Sequence, residues 1–320
     1  MSIPRVTPLA FGAIALLFGC TRDETEATRD TAAGDAAPAE FSRAATIDAA
    51  FKTPEAVRFD PVEDVYFVSN INGSPGAKDN NGFITRVRAE GGEIDSLMFI
   101  AGGRGGVTLN APKGLAITGD TLWVTDIDAV RAFDKKTGRP IVSHVIQGAV
   151  FLNDIATGPD GALYITDTGI QITDAGMSHP GPDRIFKLTR AGQASTALQF
   201  KSLVGPNGII WDDANQRFVI VAFAGKDIMA WKPGDTTTTT IAAGKGEFDG
   251  VERLADGRIL VSTWADSSIY VLDGSALVRA VAGVESPADI GVDTKRNRVA
   301  VPLFQANRVE LFAIPPKNGM

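Results

Sequence analysis

Short runs of apolar and β-branched residues, separated by turn residues, make up the chain from about residue 45 onward. One such run recurs six times, at Val65–Val68, Leu122–Thr125, Leu163–Thr166, Phe218–Val221, Ile259–Ser262 and Val299–Pro302. Turns rich in Gly, Asp and Asn precede these runs, and such residues reverse a chain at low strain. No long segment has the 3.6-residue apolar spacing of an amphipathic helix, so the pattern predicts an all-β protein.

A further strand precedes each turn, and a third and usually a fourth strand follow the recurring run. The six preceding strands are predicted at Ala56–Asp60, Gly114–Thr118, Ile155–Gly158, Gly208–Asp212, Val251–Ala255 and Ile290–Asp293. A four-stranded unit repeated about every 40 residues is typical of a β-propeller blade. We therefore predict a six-bladed β-propeller over residues 45–314, followed by a short C-terminal tail at 315–320.

The sixth unit has only three strands before the chain ends. Residues 45–52 are expected to supply its fourth strand, which would close the ring and leave no long free edge. Two separate β-domains are the alternative, although the even repeat argues against them.

The first 20 residues are predicted to be a targeting segment. Arg5 is their only charged residue, and the apolar run from Leu9 to Phe18 is too short to span a bilayer as a helix. The segment ends in Leu17-Phe18-Gly19-Cys20, which resembles the lipobox of bacterial lipoproteins. The resemblance implies a signal peptide at residues 1–19 and a lipid attached to Cys20. An ordinary signal peptide with an incidental cysteine is the alternative.

Residues 20–44 are rich in Thr, Ala, Asp and Glu and hold almost no large apolar side chains. Such a segment is too polar to form a core, so we predict a flexible tether. The lipid anchor would hold the protein at a membrane of the bacterial cell envelope, on its periplasmic or cell-surface side.

Composition narrows the chemistry and the partners. The net charge is −7, whereas a nucleic-acid-binding protein needs a basic face, so no nucleic acid is expected. The chain has two histidines and one cysteine, which excludes a disulfide framework and a Cys-rich zinc site. No Gly-x-Ser-x-Gly elbow is present, so a serine triad is not expected. We expect a monomer that acts on a small molecule.

Polar residues stand just before the apolar parts of the six strands that come before the turns, one for each strand. They are Glu55, Lys113, Asn153, Asn207, Asp249 and Asp289. In a propeller each would begin an innermost strand, so the six side chains would converge on the central axis.

Glu, Asp and Asn carry the oxygen ligands that calcium prefers. We therefore predict a divalent metal, most simply calcium, with magnesium, manganese and zinc as alternatives. The competing interpretation is that Asn207-Gly208 and Asp249-Gly250 only form turns.

Four stretches at these positions resemble the senescence-marker protein (regucalcin) and gluconolactonase family, which is related to the diisopropylfluorophosphatase-like enzymes. They are Pro54–Val57, Leu152–Ile155, Pro206–Trp211 and Phe248–Val251. The resemblance covers residues 50–314 and implies one catalytic divalent metal in the channel of a six-bladed propeller. It implies Glu55, Asn207 and Asp249 as metal ligands, with Asn153 as a ligand or a substrate-binding residue.

The resemblance also implies a hydrolase that acts on a lactone or a related ester. A bound metal would polarise the carbonyl, and an activated water or a carboxylate would attack it. The resemblance implies Asp249 as the carboxylate that takes up a proton or attacks the carbonyl. Asp289 is a second candidate for this catalytic role. Lys113 departs from the family pattern, and we expect it to bind substrate, to lean away, or to pair with Asp289.

Two other functions stay open at this point. The first is a non-catalytic lipoprotein that binds a partner or ligand, since propellers host many functions. The second is an organophosphate-type hydrolase, which would use the same metal chemistry. The long loop Thr168–Asp183 is expected to lie at the channel mouth or in solvent, with His179 as a solvated loop residue.

Overall fold

The computed structural model describes residues 40–173 and 176–317. These residues lie within one compact unit, Pro38–Met320. The predicted signal peptide, Cys20 and most of the predicted tether fall outside the described residues. Within the described residues, no helix is long and apolar enough to cross a membrane.

Twenty-six strands and one short 3₁₀ helix, Lys201–Leu203, form the structure over the described ranges. The first thirteen strands are β1 (Ser42–Ile47), β2 (Pro54–Asp60), β3 (Val65–Asn70), β4 (Phe83–Arg88), β5 (Ile94–Ala101), β6 (Pro112–Thr118), β7 (Thr121–Asp126), β8 (Ala129–Asp134), β9 (Pro140–Val145), β10 (Leu152–Thr157), β11 (Leu163–Asp167), β12 (Gln171–Thr173) and β13 (Gly176–Ser178). The others are β14 (Arg184–Leu188), β15 (Ala194–Gln199), β16 (Pro206–Asp212), β17 (Arg217–Ala222), β18 (Asp227–Trp231), β19 (Thr239–Ala243), β20 (Phe248–Arg253), β21 (Ile259–Thr263), β22 (Ser268–Asp273), β23 (Ala276–Ala282), β24 (Gly291–Asp293), β25 (Arg298–Leu303) and β26 (Arg308–Ala313).

The strands form six four-stranded antiparallel sheets, so the predicted six-bladed β-propeller is confirmed. Blades 1 and 2 are β2–β5 and β6–β9, and blade 3 has the order β10-β11-β14-β15. Blades 4 and 5 are β16–β19 and β20–β23, and blade 6 has the order β24-β25-β26-β1. A separate hairpin, β12-β13, lies between the second and third strands of blade 3.

The N-terminal strand closes the ring, as the sequence predicted. It pairs with β26 from Ser42↔Ala313 to Ile47↔Val309, which places it a few residues earlier than expected. Phe41 is the reason for the earlier start, because its side chain is buried in the core between blades 5 and 6. The part of the predicted tether nearest to the propeller therefore belongs to the folded ring.

Six apolar clusters fill the spaces between neighbouring blades. Strand β17 shows how one strand serves two of them. Phe218 and Ile220 pack toward blade 3, whereas Val219 and Val221 pack toward blade 5. Because both faces of each blade are buried, its second strand is a continuous apolar run rather than an alternating one. This packing explains the run that recurs along the sequence.

The innermost strands of blades 1 to 5 each contain a β-bulge, in which two residues lie opposite one. The five bulged pairs are Glu55-Ala56, Lys113-Gly114, Asn153-Asp154, Asn207-Gly208 and Asp249-Gly250. A bulge bends the strand locally and changes the direction of a side chain. The repeated bulge therefore places one polar side chain from each of these blades near the axis.

Candidate active site

Five of the six predicted axial residues line one pocket of about 460 Å³ at the end of the channel. They are Glu55, Lys113, Asn153, Asn207 and Asp249. All five are buried, with relative exposures of 6% or less. The bulges of five blades thus bring together residues that are far apart in the sequence.

The glycines that follow three of these residues are required by close packing and not by turns. Gly208 lies inside β16, and a Cβ atom there would stand 2.6 Å from the carbonyl oxygen of Asp249. A Cβ on Gly250 would stand 2.5 Å from the backbone nitrogen of Ile290. The turn-forming interpretation of Asn207-Gly208 and Asp249-Gly250 is therefore wrong, since innermost strands of adjacent blades touch at these glycines.

In several blades, a buried Ser or Thr hydroxyl opposite the bulge forms hydrogen bonds that connect the blade to the next one. The Ser262 hydroxyl accepts a hydrogen bond from Gly250 N at 2.7 Å and donates to Ala288 O at 2.9 Å. The same position carries Ser69, Thr125 and Thr166 in blades 1 to 3. The sequence analysis missed this set, although a Ser or Thr ends three of the six recurring runs and Ser69 directly follows a fourth.

The two carboxylates of the pocket are short of hydrogen-bond partners. Glu55 Oε2 and Asp249 Oδ1 are buried, and neither has a partner among the described residues. Burial and the charge of Asp249 raise the pKa of Glu55 well above its usual value, although Lys113 opposes this. Burial and the charge of Asp154 raise the pKa of Asp249 to about 8, against the lowering effect of Trp264 and Asn207. Such oxygens favour a cation as their partner.

The two asparagines of the pocket use their amide nitrogens for hydrogen bonds within the protein. Asn153 Nδ2 donates to Thr168 Oγ1 at 3.1 Å, and Asn207 Nδ2 donates to Phe248 O at 3.4 Å. With the amide nitrogens engaged elsewhere, the amide oxygens are the groups available for a metal.

The donor set as a whole fits a hard divalent cation. No cluster of three or more His, Cys, Asp or Glu residues that could hold a metal occurs within residues 40–173 and 176–317. A metal here would therefore need the amide oxygens of Asn153 and Asn207 and water in addition to Glu55 and Asp249. Calcium accepts such mixed oxygen ligands readily.

Lys113 lies beside this donor set without an ion-pair partner within 4 Å among the described residues. Its ammonium group donates to Pro75 O at 3.1 Å and Ala111 O at 3.0 Å, and it lies 4.2 Å from the centre of the Phe151 ring. Burial lowers the pKa of Lys113 to about 8, while Glu55 and Asp126 act in the opposite direction. Since an ammonium has three N–H donors, one is not used by these two hydrogen bonds.

Asp289 does not join the five residues around the pocket. Ala288 N donates to Pro302 O, so Ala288 takes the position that Glu55 has in blade 1, and Asp289 stands one residue further along. Asp289 lies 3.6 Å from the guanidinium of Arg58, and the predicted pairing with Lys113 is not formed. The alignment from sequence was therefore one residue off in blade 6.

A charged cluster inside the channel was missed by the sequence analysis. Arg58 pairs with Glu252 from across the ring and lies near Asp289. Asp154 belongs to the same region, where its carboxylate accepts hydrogen bonds from Ile155 N at 2.7 Å and Ile209 N at 2.8 Å. Burial raises the pKa of Asp289 well above its usual value and that of Asp154 to about 6. The sequence did carry a signal for this cluster, because Arg58 in β2 and Glu252 in β20 are charged where the innermost strands of other blades have apolar residues.

An apolar ring surrounds the polar end of the channel. The residue that directly follows the second strand of a blade faces the pocket in five blades, and these residues are Ile71, Thr168, Phe223, Trp264 and Phe304. Trp264 packs on Phe223 with ring centres 5.6 Å apart and on Phe304 with ring centres 5.2 Å apart. None of the three aromatic residues had been singled out from the sequence.

The described part of the loop Thr168–Asp183 lies at the mouth of the pocket, which is one of the two places expected from the sequence. His179 lines the pocket, and its Nε2 atom lies 2.6 Å from Asp183 Oδ1. The other carboxylate oxygen of Asp183 accepts a hydrogen bond from Gly205 N at 3.0 Å. His179 is exposed at the mouth, as expected of a solvated loop residue, and Asp183 holds its ring in place.

A comparison with protein families now identifies the group to which this architecture belongs. The model of the SMP-30/gluconolactonase/LRE-like region matches residues 79–290, about two thirds of the chain. The chain belongs to this family. Membership supports a function like that of the lactone hydrolases. A comparison with curated proteins found no significant match.

Solved structures support the same fold. A gluconolactonase from Xanthomonas campestris is 15% identical, with a TM-score of 0.63 over 88% of this chain and 96% of that one. A structural-genomics target named as a candidate gluconolactonase is also 15% identical, with a TM-score of 0.64 over 87% of this chain and 94% of that one. A chain of a nidogen–laminin complex is 21% identical, with a TM-score of 0.54 over 70% of this chain and 76% of that one. At these identities the likeness concerns the fold alone.

Proposed function

We propose that the protein is a hydrolase of lactones or related esters that depends on a divalent metal, with calcium as the expected ion. The observation that carries the proposal is the pair of buried oxygens, Glu55 Oε2 and Asp249 Oδ1, that have no hydrogen-bond partner at the floor of the pocket. Family membership supports the reaction class. Glu55, Asn153, Asn207 and Asp249 would hold the ion.

The bound metal would polarise the carbonyl oxygen of the substrate and lower the pKa of a nearby water. Asp249 would accept a proton from the attacking water, which is the role that the family resemblance implies for this carboxylate. The hydroxyl group adds to the carbonyl carbon and the bond to the ring oxygen breaks. The proton then passes to that oxygen, and the product is a hydroxycarboxylic acid, which ionises to the hydroxycarboxylate and releases a proton to the solvent.

Lys113 would bind a substrate oxygen with its remaining N–H donor. Its two hydrogen bonds to Pro75 O and Ala111 O fix the ammonium at the edge of the donor set. Such a fixed cation stabilises the negative charge that develops on oxygen during attack or remains on the carboxylate product. This role matches one of the expectations for Lys113 from the sequence.

Metal content and turnover test the proposal directly. The protein, purified with and without EDTA, would be analysed for bound metal and assayed in a pH-stat on a panel of lactones, aryl esters and phosphotriesters. We expect lactone or ester hydrolysis that EDTA abolishes and calcium restores. Turnover confined to phosphotriesters would indicate an organophosphate-type hydrolase, and no metal-dependent turnover on any substrate would support a non-catalytic binding protein.

Substitution of the carboxylates tests the ligand set. Glu55→Gln and Asp249→Asn should weaken calcium binding measured by calorimetry, because each removes one negative ligand. Glu90→Gln, at an exposed position, is the matched control. Unchanged calcium affinity in both site variants would show that the ion, if bound, lies elsewhere.

A further inference from the structure

We infer that the preferred substrate carries an apolar alkyl or aromatic group and is not a polyhydroxylated sugar lactone. The inference rests on the proposed hydrolase function and concerns the walls of the same pocket. The polar side chains are concentrated at the floor of this pocket, and the walls above it are mostly hydrocarbon. A substrate that fits must therefore present its reacting carbonyl to the floor and an apolar body to the walls.

Three blades supply an aromatic wall on one side of the pocket. Phe223, Trp264 and Phe304 each directly follow the second strand of their blade, so the fold places them at equivalent positions around the axis. Phe223 meets Trp264 at an interplanar angle of 82°, and Trp264 meets Phe304 at 56°. These contacts hold the rings as one rigid apolar surface that favours hydrocarbon or another ring.

The hairpin β12-β13 supplies a second apolar wall from the mouth. Ile172 and Met177 are cross-strand partners, and both line the pocket. The hairpin reaches the loop of blade 1, because a Cβ atom on Gly76 would stand only 2.8 Å from Ile172 O. Met177 is 72% exposed, so its side chain is accessible to an apolar group of a ligand in the pocket.

Two polar groups on the walls, the Thr168 hydroxyl and the His179 ring, are engaged with the protein. The Thr168 hydroxyl accepts a hydrogen bond from Asn153 and donates to Pro206 O at 2.9 Å. His179 is held by Asp183. A sugar lactone has a hydroxyl on most of its carbons, and burying hydroxyls without partners is unfavourable. The walls therefore discriminate against such a substrate, whereas each buried methylene of an alkyl group adds favourable transfer free energy.

Matched lactones provide the test. A series of δ-lactones with alkyl groups of increasing length, an aromatic lactone and glucono-δ-lactone would be assayed with the calcium-loaded protein. We expect kcat/KM to rise by roughly threefold to fourfold for each added methylene until the pocket is full, as complete burial of that group implies. Glucono-δ-lactone should be the poorest substrate of the set.

Substitutions in the two apolar walls test whether these walls cause the expected substrate selectivity. Phe223→Asn and Met177→Ser should lower kcat/KM for the long alkyl lactones by about tenfold more than for the unsubstituted lactone, because the long substrates lose the larger apolar contact. Met177→Ser carries little risk to folding, since Met177 is exposed. Val145→Ser, at a 71% exposed position on β9, is the control for loss of an apolar side chain away from the pocket.

The outcomes separate this inference from the proposed function. A higher kcat/KM for glucono-δ-lactone than for the alkyl lactones would overturn the inference and leave the hydrolase function intact. Absence of metal-dependent turnover on every lactone and ester would contradict the proposed function. In that case calorimetric titration with non-hydrolysable alkyl lactams would still test the walls, and binding that does not strengthen with alkyl length would overturn the inference.

Discussion

The Thr166 hydroxyl donates a hydrogen bond of 2.6 Å to the backbone carbonyl of Asn207, so a residue of blade 3 fixes an axial residue of blade 4. The same hydroxyl accepts a hydrogen bond from Asp154 N at 2.9 Å, which satisfies the extra N–H of the bulge. Both bonds are buried. The proposed ligands of the metal are therefore positioned by side chains of the second strands, which do not themselves reach the pocket.

Replacing Thr166 by valine tests this positioning. Valine keeps the shape but leaves Asp154 N and Asn207 O without a partner, so we expect a loss of about 1–3 kcal/mol in the free energy of unfolding measured with urea. We also expect calcium affinity to fall by about tenfold to a hundredfold, the usual effect of removing a group that orients a metal ligand. Thr240→Val, at an exposed position of β19, is the control. Equal effects of both changes would contradict the argument.

The two catalytic candidates from the sequence can be separated by single substitutions. Asp249 lines the pocket, whereas Asp289 is not part of its lining and lies 3.6 Å from the guanidinium of Arg58. We expect Asp249→Asn to lower kcat by at least about a hundredfold, the size of a lost general base. Asp289→Asn should keep kcat within about threefold of the parent protein if it takes no part in proton transfer. A comparable loss of kcat in both variants would show that Asp289 also takes part in catalysis.

The buried carboxylates predict how stability depends on pH. In the metal-free protein the pKa of Asp249 is raised to about 8 and that of Glu55 is raised as well. A group whose pKa is higher in the folded state contributes stability that is complete at low pH and is lost as the pH rises through the folded value. With EDTA, the contribution of these two groups to Tm should therefore decline between about pH 4 and pH 8.

Calcium should reverse this trend, since it binds the deprotonated carboxylates and its affinity must increase over the same pH interval. Thermal unfolding at several pH values with EDTA and with calcium would show the difference. The Asp249→Asn variant is the matched control, because it lacks the group with the raised pKa. A pH dependence with EDTA that is the same in the parent and this variant would contradict the assignment.

The channel ion pair makes a prediction about stability alone. Arg58→Met would leave Glu252 and Asp289 as buried carboxylates without their cation, and we expect a loss of about 3 kcal/mol in the free energy of unfolding. The double variant Arg58→Met/Glu252→Met should recover part of this loss because one of the unpaired charges is gone. Arg88→Met, with a side chain 65% exposed, is the control for loss of a positive charge. Equal stability of the single variant and the parent would contradict this account.

The lipid anchor is a prediction from sequence that concerns residues outside the described range. In the bacterial host, the full chain should be labelled by fatty acid and recovered in the membrane fraction. Cys20→Ser should abolish the label and release the protein from membranes, because the acyl chains supply the membrane affinity. Unchanged fatty-acid labelling and membrane association of this variant would contradict the assignment.

The sequence by itself determined the all-β class, the six blades and the closing N-terminal strand. These features follow from local patterns, since turn residues and apolar runs recur at a regular spacing whatever their partners are. The four oxygen donors around the pocket could be predicted for the same reason, because each stands before an innermost strand. Their convergence followed from the ring and not from any contact visible in the sequence.

Only the tertiary structure decided which residue of blade 6 takes the axial position. A bulge inserts one residue, so a sequence alignment cannot tell Ala288 from Asp289, and the structure places Asp289 beside Arg58 instead of in the pocket. The aromatic wall of Phe223, Trp264 and Phe304 was also hidden, since an aromatic residue after a strand acquires neighbours only when the blades are arranged around the axis. Local patterns fix strands and turns, whereas contacts between blades depend on the closed ring.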